Sequence, residues 1–374
     1  MRIWEQLMRP EGRTHRLLVI GVALVSVAAG AFVIQRSVQG RDNAAANDPA
    51  ASASVIPSEG ISATTEPSLE PSLTPSASPS PSKKPSQKPL PPRPDVPIPA
   101  GFPTKQTTGW QHTGVTLSPV NGIYYASTAG EVLDSKDFTG GIVVRANNVT
   151  IKRSRVKCGT TDLKCPGIWV EQQVRGTTVE DVEVTSKSKT ERIDRGITAG
   201  KTWDLTIRRT LVHETQRGIE YGYTALIEDS YVDDQYNPTD AHVSAVGGNT
   251  NKGMKLVIRH NWIAGKLGNN NSGALLFYPG GEFPQVVDIT IEQNIVNGGT
   301  YSMWLSSHAQ MTGSVTVRSN LFGTKYSDLC GAYNTHFIDN LDKVSGMRLT
   351  WEGNYWYAPG MAKDGKEVTK IIKY

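Results

Sequence analysis

The residues best suited to acid–base chemistry cluster in one stretch, "DSYVDDQYNPTDAHVSAVGG" (229–248). It contains four aspartates and a histidine, with Asp240 and His242 two positions apart. Carboxylates and imidazoles are the groups that most often transfer protons in enzymes. Upstream of this stretch, Arg217 and Glu220 add a cation and a further carboxylate. We therefore predict Arg217, Glu220, Asp240 and His242 as the candidate catalytic set.

A second set of residues could bind a sugar rather than react with it. The segments "DRGI" (194–197) and "QRGI" (216–219) place Arg195 and Arg217 at equivalent positions. Guanidinium groups pair well with acidic sugars, and aromatic rings suit sugar stacking. The candidate substrate-binding residues are Arg195, Trp169, Trp304 and Tyr278. The alternative interpretation is an ordinary solvated face of alternating charges.

These residues must be positioned by a phrase of eight residues that recurs eight times. The copies are "VTIKRSRV" (149–156), "TTVEDVEV" (177–184), "LTIRRTLV" (205–212), "ALIEDSYV" (225–232), "LVIRHNWI" (256–263), "ITIEQNIV" (289–296), "VTVRSNLF" (315–322) and "LTWEGNYW" (349–356). Their third residues, here called the anchors, are Ile151, Val179, Ile207, Ile227, Ile258, Ile291, Val317 and Trp351. Successive anchors lie 20 to 34 residues apart. Self-similarity at such a period is typical of a solenoid.

The repeated unit predicts β-strands rather than helices. Apolar and polar residues alternate at period two, and β-branched residues dominate. A second phrase accompanies the first: "GIVV" (141–144), "GIWV" (167–170), "GITA" (196–199), "GIEY" (218–221), "ALLF" (274–277) and "SMWL" (302–305). Each coil is therefore expected to contribute at least two short strands joined by turns. On the second strand we expect these side chains to point outward: Trp169, Thr198, Glu220, Val246 and Trp304.

Small polar residues follow most anchors at the third position. They are Ser154, Thr210, Ser230, Asn261, Asn294, Asn320 and Asn354, and only Val182 departs from the pattern. Stacked at one corner of parallel coils, such side chains can bond to the turn backbone and to each other. The asparagines are therefore predicted to be structural rather than catalytic.

Together these features resemble the right-handed parallel β-helix proteins of the pectate-lyase-like superfamily, in particular a group of exported or anchored actinobacterial proteins. The segments that carry the resemblance are "GFPTKQTTGWQHTGVTL" (101–117), "DFTGGIVVRANNVTIKRSRV" (137–156), "VDITIEQNIVNGGTYSMWL" (287–305), "SVTVRSNLFG" (314–323) and "WEGNYW" (351–356). The resemblance covers nearly all of residues 101–374. It implies an all-β fold, a single-stranded right-handed parallel β-helix of about eight coils, with a long groove for polysaccharide.

The resemblance also implies a specific chemistry. Lyases of this superfamily use a base, often Arg or Lys, with carboxylates that hold Ca²⁺, whereas the hydrolases use paired carboxylates. Related proteins often carry His-x-Asp-Gly where this chain has "HVSA" (242–245). Ser244 can neither act as a general acid near neutral pH nor hold a metal strongly, so the catalytic motif is incomplete. Ca²⁺ is expected only if the protein is a lyase, and no other cofactor or metal site is predicted.

The first hundred residues predict a membrane anchor and a linker. "LLVIGVALVSVAAGAFVI" (17–34) is an uncharged run behind four arginines, which predicts a transmembrane helix with residues 1–16 in the cytoplasm. A cleaved secretory signal, with secretion of the remainder, is the alternative. Residues 35–100 are rich in Pro, Ser and Ala and predict a disordered linker, since 14 of the 22 prolines and no aromatic residue fall within 41–100. Residues 101–374 are predicted as the extracellular β-helix domain.

Charge and cysteine content narrow the remaining options. The formal net charge of +4 is spread over 374 residues without a basic stripe, so nucleic acid is not an expected partner. Cys158 and Cys165 lie seven residues apart around a polar turn, which suits a local disulfide in an oxidising compartment. A zinc site is disfavoured because no histidine or second cysteine pair is nearby. Cys330 is then expected to be a buried thiol.

Three hypotheses for function follow from these patterns. The first is a membrane-anchored extracellular protein that binds cell-surface or environmental polysaccharide. The second is a polysaccharide-active enzyme that acts on acidic glycans, a lyase rather than a hydrolase, and the third is a purely structural cell-wall stalk. The expected partners are a polysaccharide or cell-wall glycan and the membrane, through residues 17–34, and the chain is expected to be monomeric.

Overall fold

The computed structural model describes most of the chain after the predicted linker. The described residues are 96–236, 242–267, 271–280, 284–306, 311–339, 346–370 and 372–373. The predicted cytoplasmic end, the predicted transmembrane helix and the linker up to residue 95 lie outside them. Within this part of the chain, no helix is long and apolar enough to cross a membrane.

The described part is built almost wholly from short β-strands. In chain order they are β1 (Ser118–Val120), β2 (Tyr124–Ala126), β3 (Val132–Asp134), β4 (Lys136–Phe138), β5 (Ile142–Val144), β6 (Thr150–Lys152), β7 (Arg155–Cys158), β8 (Ile168–Val170), β9 (Thr178–Glu180), β10 (Glu183–Ser186), β11 (Arg195–Thr198), β12 (Leu205–Arg208), β13 (Leu211–His213), β14 (Arg217–Glu220), β15 (Thr224–Glu228), β16 (Tyr231–Asp233), β17 (Val243–Thr250), β18 (Met254–Arg259), β19 (Trp262–Gly265), β20 (Asn271–Pro279), β21 (Gln285–Glu292), β22 (Ile295–Gly298), β23 (Tyr301–Ser306), β24 (Met311–Arg318), β25 (Leu321–Gly323), β26 (Asn334–Asp339), β27 (Met347–Glu352), β28 (Tyr355–Tyr357) and β29 (Ile372–Lys373). A short 3-10 helix, Gln111–Thr113, precedes them, and the described residues include no α-helix.

The strands stack into three parallel sheets. Sheet A contains β1, β4, β7, β10, β13, β16, β19, β22, β25 and β28; sheet B contains β2, β5, β8, β11, β14, β17, β20, β23, β26 and β29; and sheet C contains β3, β6, β9, β12, β15, β18, β21, β24 and β27. Every third strand joins the same sheet, so the chain passes through A, B and C and then advances by one coil. The fold is a parallel β-helix, as the repeated phrase predicts.

The anchors confirm the predicted alignment of the coils. All eight lie in sheet C, and each pairs in register with the next, from Ile151 with Val179 to Val317 with Trp351. All except Trp351 are fully buried, so they form a continuous apolar stack inside the rod. Leu133 in β3 pairs with Ile151 and adds a ninth member that the repeated phrase does not include.

The predicted polar corner is an asparagine ladder between sheets C and A. Asn261 Nδ2 donates to Asn294 Oδ1 at 2.9 Å. Asn294 in turn donates to Asn320, and Asn320 to Asn354, both at 3.0 Å. The four side chains are almost completely buried. The backbone N–H of each of the first three asparagines also donates to the Oδ1 atom of the next one. Since buried amides must be paired, these asparagines are structural, as predicted.

The outer face of sheet A is covered by the chain itself. Residues 96–114 lie across it, and Trp110 donates from Nε1 to Glu183 at 2.8 Å. Ile98 and Phe102 pack on the apolar residues of this face, which are Leu211, Tyr231, Trp262, Ala264 and Ile295. Sheets B and C therefore carry the outer faces that this segment does not cover.

The cysteines take the places that the sequence suggests. Cys158 and Cys165 are joined by a disulfide, with their Cα atoms 6.2 Å apart. Cys330 is completely buried, and its thiol donates to the carbonyl of Val296 at 3.2 Å. Burial raises the pKa of Cys330 to about 12. Because the thiolate is the nucleophilic form, Cys330 is a packing residue.

Candidate functional site

Sheet C carries on its outer face a column in which charge alternates from coil to coil. This column, here called the ionic ladder, consists of Asp134, Lys152, Glu180, Arg208, Glu228, Arg259, Glu292, Arg318 and Glu352. Glu228 is typical, because Arg208 and Arg259 both approach it to 2.5 Å. Each charge in the ladder has opposite charges as its neighbours, so this face balances its own charge.

Sheet B shows no such alternation and instead stacks two like charges. Arg195 in β11 pairs in register with Arg217 in β14, so two cations are stacked on adjacent strands. Like charges directly opposite each other destabilise a sheet. The carboxylate between them belongs to Glu220, whose Oε1 lies 3.2 Å from Arg195 Nε and 3.4 Å from Arg217 Nη1. Asp194 is more distant, 3.5 Å from Arg195. We call Arg195 and Arg217 the arginine pair.

The hydrogen bonds of the arginine pair are incomplete. Arg217 donates to Glu220 and, from Nε, to the backbone carbonyl of His242 at 3.1 Å. Arg195 Nε is buried and has no hydrogen-bond partner. Burial raises the pKa of Glu220 above its ordinary value, and the attraction of the two arginines does not offset this effect. Arg195 Nε is therefore ion-paired with Glu220 and Asp194, although neither carboxylate accepts a hydrogen bond from it.

Aromatic side chains lie on both sides of Glu220 along the rod. The outward column of sheet B reads Trp169, Thr198, Glu220, Gly247, Leu276, Trp304 and Phe337. Trp169 is two strands from Glu220, and Trp304 is three strands away on the other side. At a strand spacing of about 4.8 Å, these separations are about 10 Å and 14 Å. Trp169 is 39% exposed, so its ring is available for contact.

Trp304 packs with Tyr301, Tyr333 and Phe337, and we call these four rings, together with Tyr278 on the neighbouring strand β20, the aromatic cluster. The ring of Tyr301 lies 5.8 Å from that of Trp304 and 5.1 Å from that of Phe337, centroid to centroid. Tyr333 is 5.7 Å from Tyr301, and Tyr278 on the neighbouring strand β20 is 55% exposed. Tyr301, Tyr333 and Phe337 are not among the predicted site residues. A continuation of the second phrase into β26 identifies Phe337 as the next outward position.

Glycines separate the arginine pair from the aromatic cluster. Gly247 lies next to Glu220 in the outward column, and Gly273 lies one strand further along the rod. A Cβ atom on Gly247 would approach Ser244 Oγ to 2.6 Å and Leu276 Cβ to 3.0 Å. The space above Gly247 is therefore already filled by Ser244 and Leu276, so a larger residue does not fit there without displacing them.

The predicted outward position of Val246 is wrong. Val246 pairs with Ile219 and Leu275 in the inward column and is completely buried, whereas Gly247 takes the place beside Glu220. The physical reason is that every residue from 243 to 247 is buried. Period-two alternation therefore gives no indication of which residues face outward in this strand.

The structure brings together only part of the predicted catalytic set. Arg217 and Glu220 are in contact, and the backbone of His242 joins them, while its side chain is exposed. Asp240 lies outside the described residues. Within the described ranges, no three His, Cys, Asp or Glu side chains are grouped so that they could hold a metal ion. The predicted binding residue Arg195 adjoins Arg217, and Trp169, Trp304 and Tyr278 lie on the same sheet.

No protein-family model, no curated protein and no solved structure matches this chain. The parallel β-helix by itself does not determine an activity, because one fold hosts many unrelated functions. The outer face of sheet B, with its arginine pair, the carboxylate of Glu220 and its aromatic side chains, is the surface from which we infer a function.

Proposed function

We propose that the protein binds acidic polysaccharide along the outer face of sheet B. The observation that carries this proposal is the stacking of Arg195 on Arg217 around the single carboxylate of Glu220. Guanidinium groups bind carboxylates in a planar, bidentate manner, and the side chain of Arg195 is 41% exposed, so a uronate could pair with the terminal nitrogens of the arginine pair. Trp169 on one side and the aromatic cluster on the other offer rings on which neighbouring sugars can stack.

The proposal extends to the location of the protein. Residues 17–34 would anchor the chain in the cell membrane, with the β-helix domain on the extracellular side. The linker of residues 35–100, extended at about 3.1 Å per residue, could span roughly 200 Å. The sequence resemblance supports a β-helix of the right-handed, pectate-lyase-like type, as in anchored actinobacterial proteins. Retention of residues 17–34 is checked by N-terminal sequencing of the protein recovered from membranes.

A lyase acting on acidic glycans is the second candidate. It is favoured by one observation, the raised pKa of Glu220 beside Arg217, because a carboxyl group with a raised pKa is better matched to proton transfer near neutral pH. Arg217, Glu220, Asp240 and His242 would then share the catalytic work, with Ca²⁺ on the substrate. Ser244, where the related motif has an acid, argues against this candidate.

One experiment separates the two candidates. The full-length protein is applied to a glycan array and is also incubated with polygalacturonate while the absorbance of an unsaturated product is followed. We expect uronate-containing glycans to bind, neutral glycans to fail, and no absorbance to develop. Equal binding of neutral and acidic glycans would contradict the proposal. A rising absorbance that disappears in Arg217→Ala would establish the lyase instead.

A further inference from the structure

A second candidate site lies at the corner where the chain passes from sheet A to sheet B. A cavity of about 500 Å³ opens there, within the range of about 300–1,000 Å³ usual for small-molecule sites. Its walls come from the turns that follow β10, β13, β16 and β19, and consist of Lys189, Arg192, Glu214, Asp234, Gln235, Tyr236, Lys266 and Leu267. The turn after β10 leads directly into β11, so the cavity adjoins the strand that begins with Arg195.

Gln235 is the feature that points to a ligand. Its side chain is completely buried, yet neither Nε2 nor Oε1 has a hydrogen-bond partner. In the adjacent coil, Thr215 Oγ1 and Gln216 Oε1 are also buried without partners. Buried amides and hydroxyls in native proteins are nearly always paired. Because Gln235 lines the cavity, a bound molecule there can supply the missing donor and acceptor.

The charges around the cavity favour an anion. Asp234 is paired with Lys105 at 2.6 Å, and Glu214 accepts from Thr185 at 3.1 Å, so both acids already have partners. Among the described residues, no carboxylate pairs with Arg192. Its Nε donates to the carbonyl of Lys189 at 2.8 Å, and its guanidinium lies 4.1 Å from the centre of the Tyr236 ring. The guanidinium is thus held at the rim by neutral groups, with its charge uncompensated.

We propose that this cavity is a subsite for a single carboxylate-bearing sugar residue. Arg192 would pair with the carboxylate, Gln235 would bond to ring hydroxyls, and Tyr236 would supply an apolar wall. The inference rests on the proposed function, since it places a branch or terminal uronate of the same acidic glycan beside the arginine pair. Its occupant is small enough to be tested separately from the polysaccharide.

The test uses free galacturonate as the probe and galactose as the neutral control, with binding followed by saturation-transfer NMR on the full-length protein. We expect galacturonate but not galactose to bind. Gln235→Leu and Arg192→Gln should each weaken galacturonate binding at least tenfold. Arg318→Gln, which removes an exposed arginine from sheet C, is the matched control and should have no effect.

The melting temperature of Gln235→Leu separates a binding role from a structural one. Leucine removes an unpaired buried amide, so we expect the variant without ligand to melt at the same temperature as the wild type or higher. Unchanged galacturonate binding in both cavity variants would overturn the inference. Binding of inorganic sulfate without binding of galacturonate would overturn it as well. If polygalacturonate binding instead survives in Arg195→Ala/Arg217→Ala, the proposed function fails while the cavity assignment stands.

Discussion

Sheets B and C each place a glutamate between two arginines, and the two glutamates respond in opposite ways. Glu228 in sheet C is more deeply buried than Glu220 in sheet B, with side-chain exposures of 6% and 22%. Burial alone would raise both pKa values. For Glu228 the hydrogen bonds from Arg259 and Arg208 outweigh burial and lower the pKa, whereas for Glu220 burial prevails and the pKa is raised.

The two glutamates also differ in how their arginines are placed. In the ionic ladder Glu228 has one arginine on each side, and Arg208 reaches Oε1 while Arg259 reaches Oε2. In sheet B both arginines occupy a single column beside Glu220 and approach the same oxygen, Oε1. Alternation therefore balances the charges within sheet C, whereas the stacked arginines of sheet B form the place where we propose that an anion binds.

The largest expected effect is on binding by the arginine pair. We predict that Arg195→Ala/Arg217→Ala weakens polygalacturonate binding about 100-fold, since each charge-assisted hydrogen bond contributes at least about 1.5 kcal/mol. Isothermal titration calorimetry measures the change. Arg318→Gln/Arg348→Gln removes the same charge from sheet C and should leave the affinity within about twofold. Equal losses in the two double variants would mean that only net charge matters.

The next largest effect is on stability, and we expect replacement of the glutamate to have different effects in sheets B and C. Glu228→Gln leaves Arg208 and Arg259 without their shared partner, and we expect a loss of about 2 kcal/mol in the free energy of unfolding, since both arginines are partly exposed. Glu220→Gln should leave stability unchanged or raise it. Urea denaturation measures both. A larger loss for Glu220→Gln than for Glu228→Gln would reverse the comparison.

A smaller effect is expected from the aromatic cluster. Tyr278→Ala removes an exposed ring beside Trp304, and an aromatic contact contributes about 0.5–1.5 kcal/mol. Binding of the acidic glycan should therefore weaken by up to about tenfold. Tyr355→Ala removes a comparably exposed ring, 43% against 55%, from sheet A and serves as the control. If the two variants bind the glycan equally well, the aromatic cluster does not contact it.

The smallest effect is a difference in pH dependence. The pKa of Glu220 is raised in the folded protein, so Glu220 loses its proton at a higher pH in the folded state than in the unfolded state. The free energy of unfolding of the wild type should therefore fall relative to that of Glu220→Gln as the pH rises through the folded-state pKa. Glu228 has a lowered pKa, so its stabilising effect is complete above the unfolded pKa and disappears as the pH falls through the folded value. Urea titration between pH 3 and pH 7 measures the free energy of unfolding of the wild type, Glu220→Gln and Glu228→Gln. We expect these values to show the two opposite trends.

The sequence predicted the fold well because each coil repeats the same local constraints. A buried β-branched anchor such as Ile291 and a corner asparagine such as Asn294 recur with every turn of the rod, so the alignment needs no knowledge of distant contacts. Leu133 was not predicted as an anchor because its segment, "EVLDSKDF" (131–138), has charged residues where later copies are apolar or small. The covering of sheet A by residues 96–114 was not predicted either, because it depends on contacts between residues that are far apart in the sequence.

The candidate site was predictable only where it follows the repeat. Arg195 and Arg217 stand in aligned phrases, so their stacking could be foreseen. The aromatic partners Tyr333 and Phe337 come from a coil whose second phrase does not resemble the others. The opposite pKa directions of Glu220 and Glu228 depend on the balance between burial and the hydrogen bonds from their arginines, and no sequence pattern records that balance.

The central claim is that an acidic glycan lies on sheet B between the arginine pair and the aromatic cluster. A crystal structure of the complex with an oligogalacturonide tests it most directly. We predict a carboxylate of the sugar within hydrogen-bond distance of a terminal nitrogen of Arg195 or Arg217, and a sugar ring stacked on Trp304 or Tyr278. An oligosaccharide bound along the ionic ladder of sheet C, with the arginine pair unaltered, would contradict the claim.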